Sequence, residues 1–366
     1  MELILTVVLV ALIFEYINGF HDTANSIATV VSTKVLSPRQ AIVLATFTNL
    51  IGAMMGVAVA KTITSGLVDA TVVKVTTHMI ICALLGGIFW NLLTWWFALP
   101  SSSTHAMVGG LVGAAFAAAH NNWSAIIWFK EKAGAPLWKA EGLLPKVIFP
   151  MVASPIIGLL VGFLVMSALY LLVFNWRPRT VTQSFGKLQI FSAAYMGWSH
   201  GQNDAQKTMG IIALALLAGT ANGDLAKAPE WLSFLKIETL GPNKDQIPMW
   251  IKVTCALTMA AGTAAGGWRI IRTLGHKLVK LQPVHGFAAE TTAASVLAGA
   301  AMLGMPVSTT HAITTSIMGV GAAKRLNAIK WSVVERILWA WVLTLPATAT
   351  VAYLLMRGCQ TAGWVK

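Results

Sequence analysis

Two short polar signatures, each present twice, carry the chemistry of this 366-residue chain. Gly19-Phe20-His21-Asp22-Thr23-Ala24-Asn25 has a counterpart in Gly201-Gln202-Asn203-Asp204-Ala205-Gln206-Lys207. Leu99-Pro100-Ser101-Ser102-Ser103-Thr104-His105 has one in Met305-Pro306-Val307-Ser308-Thr309-Thr310-His311, in the same order along the chain. The Asp and Asn side chains offer hard oxygen ligands for Na⁺ or a path for protons. Gly19 and Gly201 permit a bend or a close backbone approach, and carbonyls freed at a bend would complete a cation shell. The Ser/Thr runs follow a proline, the residue expected in the first turn of a helix. A helix start rich in hydroxyls, with its exposed amides and positive dipole end, suits a tetrahedral oxyanion.

Counting charge separates the two kinds of motif. Asp22 and Asp204 contribute two negative charges and Lys207 one positive charge, so the centre is net negative before any anion arrives. Uncompensated charge in a low-dielectric site is prohibitive, so a cation must accompany the anion. The carboxylates then serve the cation or proton, and Ser101, Ser102, Ser103, Thr104, Ser308, Thr309 and Thr310 serve the oxyanion. That division of labour is symport. His21 directly precedes Asp22, and histidine is a residue type suited to a proton relay. His105 and His311 donate to the anion, shuttle protons or brace the loop, with bracing slightly favoured.

Each reading has a plainer competitor. Ser/Thr clusters also let membrane helices pack closely, but two copies that each end in His favour a ligand role. Only four of the 13 acidic residues lie in or beside apolar segments: Glu15, Asp22, Asp204 and Glu290. Ionised carboxylates in hydrocarbon are costly and mark functional sites by default. Glu15 is evenly balanced between such a role and a headgroup-level position. Ser102 and His105 lack an oriented acid and a nucleophile elbow, so the chain is not read as an enzyme.

These residues must be positioned by membrane helices. Hydrophobic residues make up 56% of the chain and charged residues 11%, against about 25% charged in a soluble domain. Apolar runs near the ~20 residues that cross a bilayer recur, for example 3–17, 41–60, 79–99, 147–174 and 334–355. The expectation is an all-α polytopic protein of about ten to twelve embedded segments, some broken or re-entrant. The first run lacks a basic n-region and cleavage site and reads as retained, not as a signal peptide. A net charge of +13 would suggest nucleic acid in a soluble protein. Here the basic residues sit in short connections, which the positive-inside rule makes cytoplasmic, so no nucleic-acid partner is expected. Cys82, Cys255 and Cys359 form neither metal spacing nor a disulfide framework.

The order of motifs divides the chain into a first repeat (1–120), a loop with connecting spans and a basic linker (121–187), a second repeat (188–323) and a C-terminal basic loop and span (324–366). A polar insertion, 221–248, lengthens the second repeat. An odd number of spans between the copies would make the repeats inverted, and that arrangement is expected.

The segments Asn18-Gly19-Phe20-His21-Asp22-Thr23-Ala24-Asn25, Ser199-His200-Gly201-Gln202-Asn203-Asp204-Ala205-Gln206-Lys207 and Met305-Pro306-Val307-Ser308-Thr309-Thr310-His311 resemble the PiT family of inorganic phosphate transporters over essentially the whole chain. The resemblance implies a phosphate:cation symporter with inverted repeats, multi-pass in the inner (plasma) membrane among lipid, and usually a homodimer. It places ligand positions on Asp22, Asn25, Asn203, Asp204, Glu290 and the Ser/Thr runs. Asn25 and Lys207 join the oxyanion set, while His21, Asn203 and Glu290 join the coupling-cation or proton set. His21-Asp22, where sodium-coupled members commonly read Asn-Asp, is similar to the bacterial low-affinity Pit branch. Those transporters couple to protons and can carry phosphate as a neutral metal–phosphate complex, so a co-transported divalent metal enters the expectation without fixed metal ligands. No other cofactor is expected. A sulfate permease of the same family and an anion channel are the competing readings.

Overall fold

Twelve α-helices make up almost all of the regular structure in the computed structural model, which describes residues 2–131, 140–226, 228–237 and 247–365. Parts of both polar loops expected from the sequence (132–139, 227 and 238–246) lie outside the described residues. The first six helices are α1 (Glu2–Ser32), α2 (Pro38–Ala53), α3 (Ala58–Ser65), α4 (Thr77–Trp96), α5 (Ser103–Ala118) and α6 (Phe149–Leu172). The second six are α7 (Pro178–Ala221), α8 (Met249–Ala265), α9 (Trp268–Arg272), α10 (Pro283–Met302), α11 (Thr309–Lys324) and α12 (Trp331–Thr361). Among the described residues, four helical stretches are long and apolar enough to cross a membrane: α1, α4, α12 and residues 144–172, which include α6. A fifth span forms if the bent pair α2–α3 counts as one, and α5 and α8 are shorter apolar helices.

The duplicated motifs lie on α1, α7 and the starts of α5 and α11. The helix α5 packs on α4 and α12, as α11 packs on α10 and α6. Likewise α1 packs on α8, and α7 on α2. Lipid tails give no hydrophobic drive to such contacts, so small residues and close backbone approach supply them. A Cβ on Gly113 of α5 would stand 2.0 Å from the Ala349 carbonyl of α12. In the matching pair, a Cβ on Gly319 of α11 would stand 2.1 Å from the Leu159 carbonyl of α6.

Three local expectations are corrected. The Asp motifs do not interrupt their helices: α1 and α7 run unbroken through Gly19 and Gly201. These glycines serve close approach instead, a Cβ on Gly19 meeting the Met259 carbonyl at 2.5 Å and one on Gly201 the Asn49 carbonyl at 2.2 Å. No main-chain carbonyl is therefore freed there for a cation. The apolar run 41–60 is two helices bent by 67°, because Gly56 adopts φ +89°, a left-handed conformation that glycine takes at little cost. Finally, most of the basic linker is helix. Pro178 opens α7 at its first position, where a missing N–H costs nothing, so residues 178–187 form the first turns of a 44-residue helix.

Candidate functional site

Asp22 on α1 and Asp204 on α7 are 1% and 0% exposed, on two helices that pack together. Each carboxylate is held by a basic side chain from its own helix and a hydroxyl from a helix start. Asp22 Oδ1 is 2.7 Å from His21 Nδ1, and its Oδ2 accepts from Ser103 Oγ at 2.7 Å. Asp204 Oδ1 accepts from the Lys207 ammonium at 2.6 Å, and its Oδ2 from Thr309 Oγ1 at 3.4 Å. The two halves are thus alike in architecture and unlike in charge, with a fixed cation on the Asp204 side only.

The hydroxyl runs sit at helix starts. Ser102 caps α5 by accepting from the His105 amide at 3.2 Å, and Ser308 caps α11 by accepting from the His311 amide at 3.2 Å. The prolines lie two residues before these caps, within the non-helical stretches 99–102 and 305–308 and not in the first turn as expected. The two tips touch: Thr104 Oγ1 donates to the Val307 carbonyl at 3.1 Å. Asn25 reaches across from α1 to donate to Thr309 Oγ1 at 3.1 Å and Thr310 Oγ1 at 2.9 Å. Ser101 pairs with Thr94 at 2.8 Å, and Thr94 lies 3.2 Å from His21 Nε2. Two dipole-positive helix ends therefore converge beside two carboxylates, all buried. First-turn amides have no partner within their own helix, so such ends are suited to an anion.

His105 and His311 meet at this junction, ring centroids 4.8 Å apart and edge to face. His311 also lies 3.8 Å from the Trp341 ring of α12. Neither imidazole has a hydrogen-bond partner on either nitrogen among the described residues. Asn203 is fully buried, with both amide atoms unpartnered among the described residues.

Glu290 is set apart from this cluster. It accepts from Thr29 Oγ1 at 2.5 Å, from Gln189 Nε2 at 3.1 Å and from Ser192 Oγ. Its donors come from α1 and α7, so it ties α10 to both of these helices.

His200 is a site residue that the sequence reading does not single out. Its Nε2 is 3.4 Å from Asp204 Oδ2, and its Nδ1 is 3.1 Å from Asn49 Oδ1. Ligand atoms of Asp22, His200 and Asp204 lie within 4.8 Å of one another, a spacing that fits one small cation. The i, i+4 relation of His200 to Asp204 is visible in the sequence, but its approach to Asp22 on another helix is not.

A model of the Phosphate transporter family matches residues 18–352. The chain is 42% identical over 360 residues to a Bacillus subtilis protein named "Probable low-affinity inorganic phosphate transporter", covering 97% of this chain and 98% of that one. A Rhizobium meliloti protein of the same name is 42% identical over 353 residues, 96% of this chain and 95% of its own length. A solved structure described as "The sodium-dependent phosphate transporter" shares the fold with a TM-score of 0.78 at 22% identity, covering 99% of this chain and 100% of that chain.

Proposed function

This chain belongs to the phosphate transporter family, and from that premise we propose that it is a symporter importing inorganic phosphate with protons across a bacterial-type plasma membrane. The observation that carries the reading is the double convergence at the centre. Two carboxylates share one cation-sized space with His200, and each is bonded to a hydroxyl at a helix start suited to an oxyanion. Phosphate alone would add negative charge to a buried centre whose fixed charges already sum below zero, and a cation alone would leave the helix starts unanswered. Binding together offsets the charge that the anion brings and answers the helix starts.

The side chains around the carboxylates favour the proton over sodium. Asp22 and Asp204 each have an imidazole beside them, from His21 and His200. Sodium is a hard cation that is best served by oxygen alone, and the unbroken α1 and α7 supply no freed carbonyls. An imidazole beside a carboxylate can take up a proton and pass it on. A divalent metal travelling as a neutral metal–phosphate complex is compatible with the same ligands, because carboxylate and imidazole both accept such ions. The protein works, in this reading, as a homodimer in the membrane.

The test is radiolabelled phosphate uptake by the purified protein in proteoliposomes, with pH, sodium and magnesium gradients imposed separately. Accumulation driven by an inward proton gradient without sodium supports the proposal. Accumulation that follows only the sodium gradient overturns proton coupling, and competition by equimolar sulfate would redirect the substrate to a different tetrahedral oxyanion.

A further inference from the structure

We propose that Glu15 is a proton-binding site of the transport cycle, beside the Asp22–Asp204 centre and separate from it. The inference rests on the proton-symport reading above. Among the described residues, four carboxyl groups are buried between the helices: Glu15, Asp22, Asp204 and Glu290. Asp22 and Asp204 each have a basic partner, and both oxygens of Glu290 are occupied by donors from three residues. Glu15 is equally buried, at 0% exposure. Its Oε2 accepts from Thr208 Oγ1 at 2.5 Å, and its Oε1 has no hydrogen-bond partner among the described residues. A buried carboxylate with one oxygen unanswered and no ion pair is expensive to keep charged. The same group carrying a proton is not.

The surroundings can serve both states. Asn18 follows Glu15 by one helical turn, its amide close to the carboxyl yet with neither Nδ2 nor Oδ1 in hydrogen-bond geometry with any described residue. An amide is both donor and acceptor. When Oε1 carries the proton, it donates to Asn18 Oδ1; when it loses the proton, rotation of the amide brings Nδ2 to Oε1.

Glu15 also reports to the substrate centre. Thr208, its hydroxyl partner, directly follows Lys207, whose ammonium is committed to Asp204. The groups facing Glu15 from α7 are Asp204 and Lys207, and from α8 the Cys255 thiol. The only titratable residues of α4 are His78 and Cys82, and Cys82 faces Cys359. With Glu15 neutral, Lys207 serves Asp204 alone. Loss of the proton creates a second anion competing for the same ammonium, which frees Asp204 towards its other ligands. Proton binding at Glu15 is thereby linked to the charge at the phosphate centre without a shared ligand.

The experiment compares the full-length protein with Glu15→Gln, which mimics the protonated carboxyl, in proteoliposomes. Two quantities are read: phosphate–phosphate exchange without gradients, and steady-state accumulation under an imposed pH gradient. One coupled proton moved through one pH unit is worth a factor of about ten in accumulation. Glu15→Gln should keep exchange and lose about that tenfold factor per pH unit. Equal gradient-driven accumulation by both proteins overturns the assignment of Glu15 and leaves proton symport standing. Accumulation by the wild type that ignores pH and follows sodium overturns both. Should the variant not fold, a lipophilic carbodiimide on the wild type decides, because it modifies protonated carboxyls in apolar surroundings. Mass spectrometry should find the adduct on Glu15, increasing as pH falls; an unmodified Glu15 at every pH overturns the proposal.

Discussion

Removing the Lys207 charge gives the sharpest energetic test of the asymmetric centre. Its ammonium is 2.6 Å from Asp204 Oδ1 and both residues are 0% exposed. At that separation and an effective dielectric constant of about 20, the attraction is about 6 kcal/mol. Desolvation offsets part of it, and breaking a buried pair by deleting one partner costs about 3–5 kcal/mol. Lys207→Gln should therefore lower thermal stability in detergent substantially, and Asp204→Asn should do the same by stranding the ammonium. The double variant Asp204→Asn/Lys207→Gln leaves two neutral amides facing each other and should recover most of the loss, a coupling of about 3 kcal/mol in the cycle. All three should fail to accumulate phosphate in proteoliposomes. Stability and transport thus separate. A double variant no more stable than the singles would refute the charge-pair argument, and one that transports at wild-type rate would remove Asp204 from the cation site.

Other substitutions address other parts of the centre. Ser103→Ala removes the hydroxyl that Asp22 Oδ2 accepts and, with Ser102→Ala deleting the α5 cap, should raise the KM for phosphate at least several-fold before maximal uptake falls; unchanged KM would discount the helix starts as the anion site. His200→Phe deletes the nitrogen beside Asp204, so it should lower phosphate uptake severalfold, and uptake at the wild-type rate would count against His200 as part of the cation site. Gly113→Ala should impair folding by forcing α5 from α12, since the added Cβ falls 2.0 Å from a carbonyl; wild-type thermal stability of that variant would contradict the packing.

Much of the centre is legible in the sequence because side-chain chemistry and local helix signals suffice for it. Duplicated Asp and Ser/Thr motifs mark the residues that gather, and serine at positions 102 and 308 announces two helix starts. What escapes depends on partners distant in the chain. Whether Gly19 breaks α1 or admits a neighbour turns on Gly262 and Met259 of α8, which no local pattern reveals. The role of Glu15 stays balanced in the sequence until Thr208, 193 positions away, is found against it. His105 and His311 look like loop braces one at a time, yet their rings meet each other across the two halves. The bend between α2 and α3 hides inside an apolar run that alone reads as one span, with Gly56 as its one clue.

The most direct test is an experimental structure of the protein in lipid with phosphate bound. Phosphate density should lie between the starts of α5 and α11, within hydrogen-bond distance of Ser102 or Ser103 and of Thr309 or Thr310, next to the space shared by Asp22, His200 and Asp204. Phosphate held elsewhere, with those hydroxyls and carboxylates contacting only each other, would contradict the joint cation and oxyanion site.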